Sequence, residues 1–281
     1  MRLGIFCGMF FLLAVMLCTP VLAEGWVRLE INGTDVNLRS VPNSPSTVLA
    51  QANTGDVFIA EKWPVLNQES DSNWYKLVWA VDKEAGAIVD LAKFNQSLSK
   101  GTLVFVNEKL INVLPLAAGE EEQLIQRPYG ATYDPELGTN LPALVREFGA
   151  GEIDRHYNAD DNANFGIAFY TIIELAELKA VIAESSAEGQ DAFAFFYITL
   201  SKPGFGIDEF HNGGKITVGQ SGKAEVEKIF KSWAGSDRTI TKNVAEDGSE
   251  TWSIAFEMNG VDVTFGANGL VTTYHRWVSI H

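Results

Sequence analysis

Cysteine is nearly absent from this 281-residue chain. Cys7 and Cys18 both lie in an N-terminal apolar segment, so removal of that segment would leave no thiol at all. A disulfide framework, a cysteine nucleophile and thiolate metal ligation are then excluded. Histidine is almost as scarce. His156, His211, His275 and His281 form no H-x-H or H-E-x-x-H pair, so the ligand spacing of a zinc hydrolase is missing, and no metal or other cofactor is expected. Positive charge is also in deficit: 21 Lys and Arg stand against 36 Asp and Glu, a formal charge of −15. That balance disfavours nucleic acid and anionic membrane surfaces as partners. The chain also lacks an apolar run of the ~20 residues that a membrane span requires.

The N-terminus has instead the parts of an export signal. Arg2 gives a positive start, Ile5 to Leu17 an apolar core, and Val21-Leu22-Ala23 a small-residue cleavage site. Cleavage after Ala23 is expected. Cys18 follows the bulky Leu17 rather than the small residue of lipoprotein processing. The mature chain is therefore expected to be exported, periplasmic or secreted, with no membrane span left after cleavage. Loss of Arg2, the one charged residue of the segment, takes the formal charge from −15 to −16.

From 24 to 116 the pattern is all-β. Short apolar runs alternate with turn signals at Asn32-Gly33, Pro42 to Pro45, Asn53 to Asp56 and Asn67 to Asn73. Ala87 to Phe94, within the stretch 82–100, is apolar enough for a further strand or a helical turn. Residues 117–137, acidic and interrupted by Gly119, Pro128, Gly130 and Pro135, break both periodicities and are expected to be a linker.

Residues 138–281 repeat a pattern. Leu141, Leu144, Val145 and Phe148 mark one helical face, and Val226, Ile229, Phe230 and Trp233 mark another, 85 residues later. Phe165 to Phe169 and Trp252 to Phe256 suggest matching strands 87 residues apart. Ser221 is expected to cap the second helix. Leu175 to Ile182 fits a strand or a short helix. Val261 to Phe265 and Leu270 to Tyr274 alternate around an Asn268-Gly269 turn.

Catalytic motifs are poorly represented. Val218-Gly219-Gln220-Ser221-Gly222 falls one residue short of a nucleophile elbow. Asp160, Asn162 and Asn164 resemble a calcium loop, but Thr171 stands where its bidentate Glu belongs. A pair of carboxylates for sugar cleavage needs only two acids about 5–10 Å apart and stays open as an alternative.

Leu38-Arg39-Ser40 with Pro42, Val48-Leu49-Ala50, Gly55-Asp56, Val57 to Ala60, Trp74-Tyr75-Lys76 and Leu103 to Val106 together resemble a bacterial Src-homology-3 (SH3-like) domain. The tandem helix-and-sheet pattern of the second half more loosely resembles the outer-membrane-assembly lipoprotein and β-lactamase-inhibitor-protein folds. These resemblances imply a multidomain protein: an all-β SH3-like barrel at 24–116, then an α+β domain of two helix-plus-antiparallel-sheet repeats at 138–281. They also imply a non-catalytic envelope protein, with the barrel on peptidoglycan or wall peptides and the repeats on an envelope protein. The alternatives are a wall-modifying hydrolase with a carboxylate pair and a secreted inhibitor of a hydrolase. Candidate binding residues are Asn37 and Arg39, on the strand face opposite Val36 and Leu38, with the aromatics Trp63, Trp74, Tyr75, Tyr274 and Trp277. For Trp74 a core position is the competing expectation.

Overall fold

The computed structural model describes residues 25–98, 102–125, 141–185, 193–207, 214–234, 239–256 and 259–278. The expected signal segment 1–23 and residues 126–137 of the expected linker lie outside these. The fold is mostly β, with a few short helices.

The first half carries β1 (Trp26–Ile31), β2 (Val36–Arg39), β3 (Val48–Ala52), β4 (Val57–Glu61), β5 (Val65–Asn67), β6 (Ser72–Val81), β7 (Ile88–Asp90), α1 (Leu91–Phe94), β8 (Val104–Asn107), β9 (Ile111–Leu114) and α2 (Glu120–Ile125). The ten-residue β6 organises them. It pairs with β4 and β5 along one edge and with β7 and β8 along the other. β1 then links β4 to β9, and β2 links β8 to β3. Alternation decides what each strand buries. In β2, Val36 and Leu38 enter a core with Leu29, Phe58, Leu77 and Val104, while Asn37 and Arg39 are only half-buried. Each large apolar side chain so buried contributes about 1.5–3 kcal/mol.

The stretch 82–100 supplies both of the forms its sequence allows. β7 pairs with the C-terminal end of β6, and α1 sets Phe94 edge-on against Phe58, with ring centroids 4.9 Å apart. The described part of the expected linker holds α2. Its Leu124 is buried with Trp26, Ile59 and Trp79, and its Glu120 pairs with Arg28 of β1.

The second half carries α3 (Leu141–Phe148), β10 (Gly151–Tyr157), α4 (Ala159–Phe165), β11 (Ile167–Leu175), β12 (Leu178–Ser185), β13 (Phe193–Leu200), β14 (Gly206–Ile207), β15 (Ile216–Thr217), α5 (Lys223–Ala234), β16 (Ile240–Val244), β17 (Glu250–Phe256), β18 (Asn259–Phe265) and β19 (Val271–Val278). Its sheet runs β10-β11-β12-β13-β19-β18-β17-β16, antiparallel throughout. The apolar faces of α3 and α5 share one core with that sheet, including Leu144, Phe148, Phe230, Trp233 and Trp252.

Local expectations are corrected at two points. Phe165 does not open a strand; it ends α4, exposed, because Gly166 turns left-handed (φ +69°) and β11 starts only at Ile167. The Ser221 hydroxyl does not cap α5 from within. It accepts from the Thr217 N–H at 3.0 Å and ties the preceding turn. Leu175 to Ile182, open between strand and helix, spans the hairpin between β11 and β12.

The two halves are continuous. β5 pairs in parallel with β10, Leu66 opposite His156 and Asn67 opposite Tyr157, so one sheet passes from the first half into the second.

Candidate functional site

Two polar regions flank the Trp74 end of β6, and they differ in access to water. The first is a closed seam between the halves. Ser72, Trp74 and Lys76 alternate onto the face of β6 turned away from the Leu29–Phe58 core. That face packs on the second half: Trp74, Val65 and Phe105 share an apolar cluster with Tyr157, Ala168 and Phe169. Phe105 and Phe169 meet edge-on at 5.7 Å.

Four charges are buried beside this cluster. The Arg155 guanidinium pairs with Glu61 at 2.7 Å and with Glu184 at 3.6 Å, and Lys76 pairs with Glu184. Arg155 also donates to the Trp63 carbonyl at 2.9 Å. Both cations lie over the Phe169 ring, the guanidinium carbon at 4.6 Å and the ammonium at 5.5 Å. Two cations and two carboxylates balance, which is what a low-dielectric site requires if ions are to be held there at all. Buried and paired across the two halves, these charges have the chemistry of a fastening.

The second region is an open cleft of about 460 Å³ in the first half. Asn37 and Arg39 of β2, Ser70 of the β5–β6 turn, Ser72 at the start of β6, Asn107 and Lys109 line it, with Asp35, Ser44 and Trp74. Arg39 donates to the Ser46 carbonyl at 2.6 Å, which fixes the 40–47 loop beside it. Trp74 Nε1 donates to Ser72 Oγ at 3.1 Å, and Ser72 and Ser70 hydroxyls are 2.8 Å apart. The Asn37 carbonyl accepts from Gln51 and the Asn107 carbonyl from the Lys109 N–H, which leaves both amide NH₂ groups able to donate into the cleft. Positive charge is in excess: two cations, Arg39 and Lys109, face the single carboxylate of Asp35.

The structure brings together Asn37, Arg39 and Trp74 of the expected residues. Trp74 is only 3% exposed, so it serves the seam with its body and the cleft with one edge. Tyr75 points to the other face of β6 and packs on the first-half core, where burial and the Glu108 charge hold its hydroxyl above the ordinary range. Trp63 packs on the second-half core under the Lys62 ammonium. Tyr274 is corrected: it is fully buried in the core with α5, because its face of β19 is the one the helices cover. Trp277, on the opposite face, is half-buried with its ring over Gly260, in a surface patch with Tyr197 and His275 far along the sheet from the cleft. Asn107, Lys109, Ser70 and the four seam charges were missed from sequence. The available signal was a charge ending or interrupting an apolar strand, as at Glu61, Lys76 and Glu184.

Among the described residues no group of three or more His, Cys, Asp or Glu side chains is placed to hold a metal ion, and no helix is long and apolar enough to cross a membrane. A scan against protein-family models, a search of curated proteins and a search of solved structures each returned no match.

Proposed function

We propose that this is an exported, non-catalytic binding protein whose first half is an SH3-like barrel that holds peptidoglycan or its peptides in the Asn37–Asn107 cleft. The observation that carries the reading is the cleft's excess of positive charge, Arg39 and Lys109 against one carboxylate. A wall peptide, rich in carbonyls and carboxylates, offers the complementary acceptors. Sugar cleavage would need two carboxylates in the lining, and the lining has one. The central β6 with partners on both edges supports the barrel reading. A helix followed by antiparallel strands, once at α3 and again at α5, supports two repeats in the second half. The half-buried Tyr197, His275 and Trp277 patch is the surface we assign to a protein partner.

The test is co-sedimentation of the mature chain with peptidoglycan sacculi. Lys109→Ala and Asn107→Ala should each weaken retention about five- to thirty-fold, or about 1–2 kcal/mol, without altering the circular dichroism spectrum. Failure of the unaltered chain to sediment at any salt concentration would overturn the reading.

A further inference from the structure

Both walls of the cleft hang from one residue at the junction of the halves. Asn67, the last residue of β5, is 1% exposed. Its side-chain NH₂ donates to the Pro42 carbonyl at 2.8 Å, which holds the 40–47 loop bearing Ser44. Its side-chain carbonyl accepts from the N–H groups of Glu69 and Ser70 at 3.0 and 3.2 Å, which holds the turn carrying Ser70. The backbone of Asn67 is in turn registered against Tyr157 of β10. Tyr157 then reaches the same loop directly: its hydroxyl accepts from the Asn43 amide at 3.4 Å, and its ring packs with Val41 and Trp74.

We propose that the cleft is a composite site: the second half, through β10 and Tyr157, sets the position of both walls, with Asn67 as the positioning residue. The inference rests on the cleft being the binding site. It goes further in making ligand affinity a property of the joined halves rather than of the barrel. A buried amide with its three hydrogen bonds satisfied locks one geometry, and the parallel pairing fixes where that amide stands. Linkage makes the dependence reciprocal: a ligand that tightens the walls must also tighten the β5–β10 junction.

Amide hydrogen exchange on the full mature chain, with and without a soluble wall peptide, tests this. Asn67→Asp keeps the acceptor but not the donor, so exchange should rise about ten-fold or more at the amides of Asn43, Ser44 and Ser46 while Glu69 and Ser70 amides stay protected. Asn67→Ala should release both walls, and Tyr157→Phe, which keeps the ring, should loosen 43–46 alone. The β4 amides 57–61 serve as the internal measure of global stability; they should not change in Tyr157→Phe, and in the Asn67 variants the rise at the walls should exceed any rise there. Peptide affinity should fall about ten-fold in Asn67→Ala, and peptide binding to the unaltered chain should slow exchange at 155–157. Unchanged wall exchange in Asn67→Ala, or raised wall exchange with unchanged affinity, overturns the proposal. If the unaltered chain binds no wall material, the binding reading falls by itself, and the exchange pattern alone decides the positioning claim.

Discussion

The seam and the cleft draw on the same short stretch of β6 and on the same residue types, and they use them in opposite ways. In the seam, Arg155, Lys76, Glu61 and Glu184 are buried against one another, so every charge needs its partner in place. In the cleft, Lys109 and Asp35 are exposed and Arg39 is half-buried with one bond to the Ser46 carbonyl, so none of them needs an opposite charge in place. Trp74 stands between the two, its ring filling the seam and its edge forming the cleft wall. The difference teaches that a charge's role here follows from its access to water, not from its type.

That contrast is easiest to break at Arg155. Arg155→Ala leaves Glu61 and Glu184 buried beside a cavity and should cost about 3–5 kcal/mol, read from the denaturant midpoint. A loss under about 1 kcal/mol would mean that the seam is hydrated and no different from the cleft. Gly260→Ala, remote from both regions, places a methyl carbon 2.3 Å from the Trp277 ring and should cost about 1–3 kcal/mol. If its unfolding remains a single cooperative transition, as the continuous sheet leads us to expect, the seam joins the halves energetically.

Smaller effects sharpen the cleft side. Lys109→Ala and Asn107→Ala should change stability by no more than about 0.5 kcal/mol while weakening wall-peptide binding. The smallest expected effect is one of pH. Burial holds His275 below its ordinary value, against the opposing pull of Asp262 and a hydrogen bond with the Ile198 backbone. The folded state thus favours the neutral ring. Its contribution is full above about pH 6.5, the unfolded value, and is lost as pH falls through the lower folded value. His275→Gln should flatten the fall in Tm below pH 6.5 relative to the unaltered chain; an identical slope would refute the assignment.

Much of the local structure was legible because it follows from short-range periodicity. The apolar faces of α3 and α5, the alternation of β2 and the turn at Asn268-Gly269 are patterns of 3.6 or 2 residues, fixed by backbone geometry. Phe165 was misread because a single left-handed glycine cut the apolar run, which the run's hydrophobicity does not reveal. Alternation puts Tyr274 and Trp277 on opposite faces of β19, yet it has no means of saying which face the helices cover.

The near-absence of cysteine, the acidic balance, the strand-rich first half and the pair of helical faces in the second could all be read from the residues in order. Composition and nearest-neighbour sterics are properties of the chain alone. The packing of the whole chain was needed to pair β5 with β10, to bring Arg155 to Glu61 and Glu184, and to set Asn67 between both walls of the cleft. The β5–β10 pairing and the Arg155–Glu61 pair join residues about 90 positions apart, Arg155 and Glu184 about 30, and Asn67 and Pro42 25. They exist because buried ions and amides must find partners wherever the packed chain brings them.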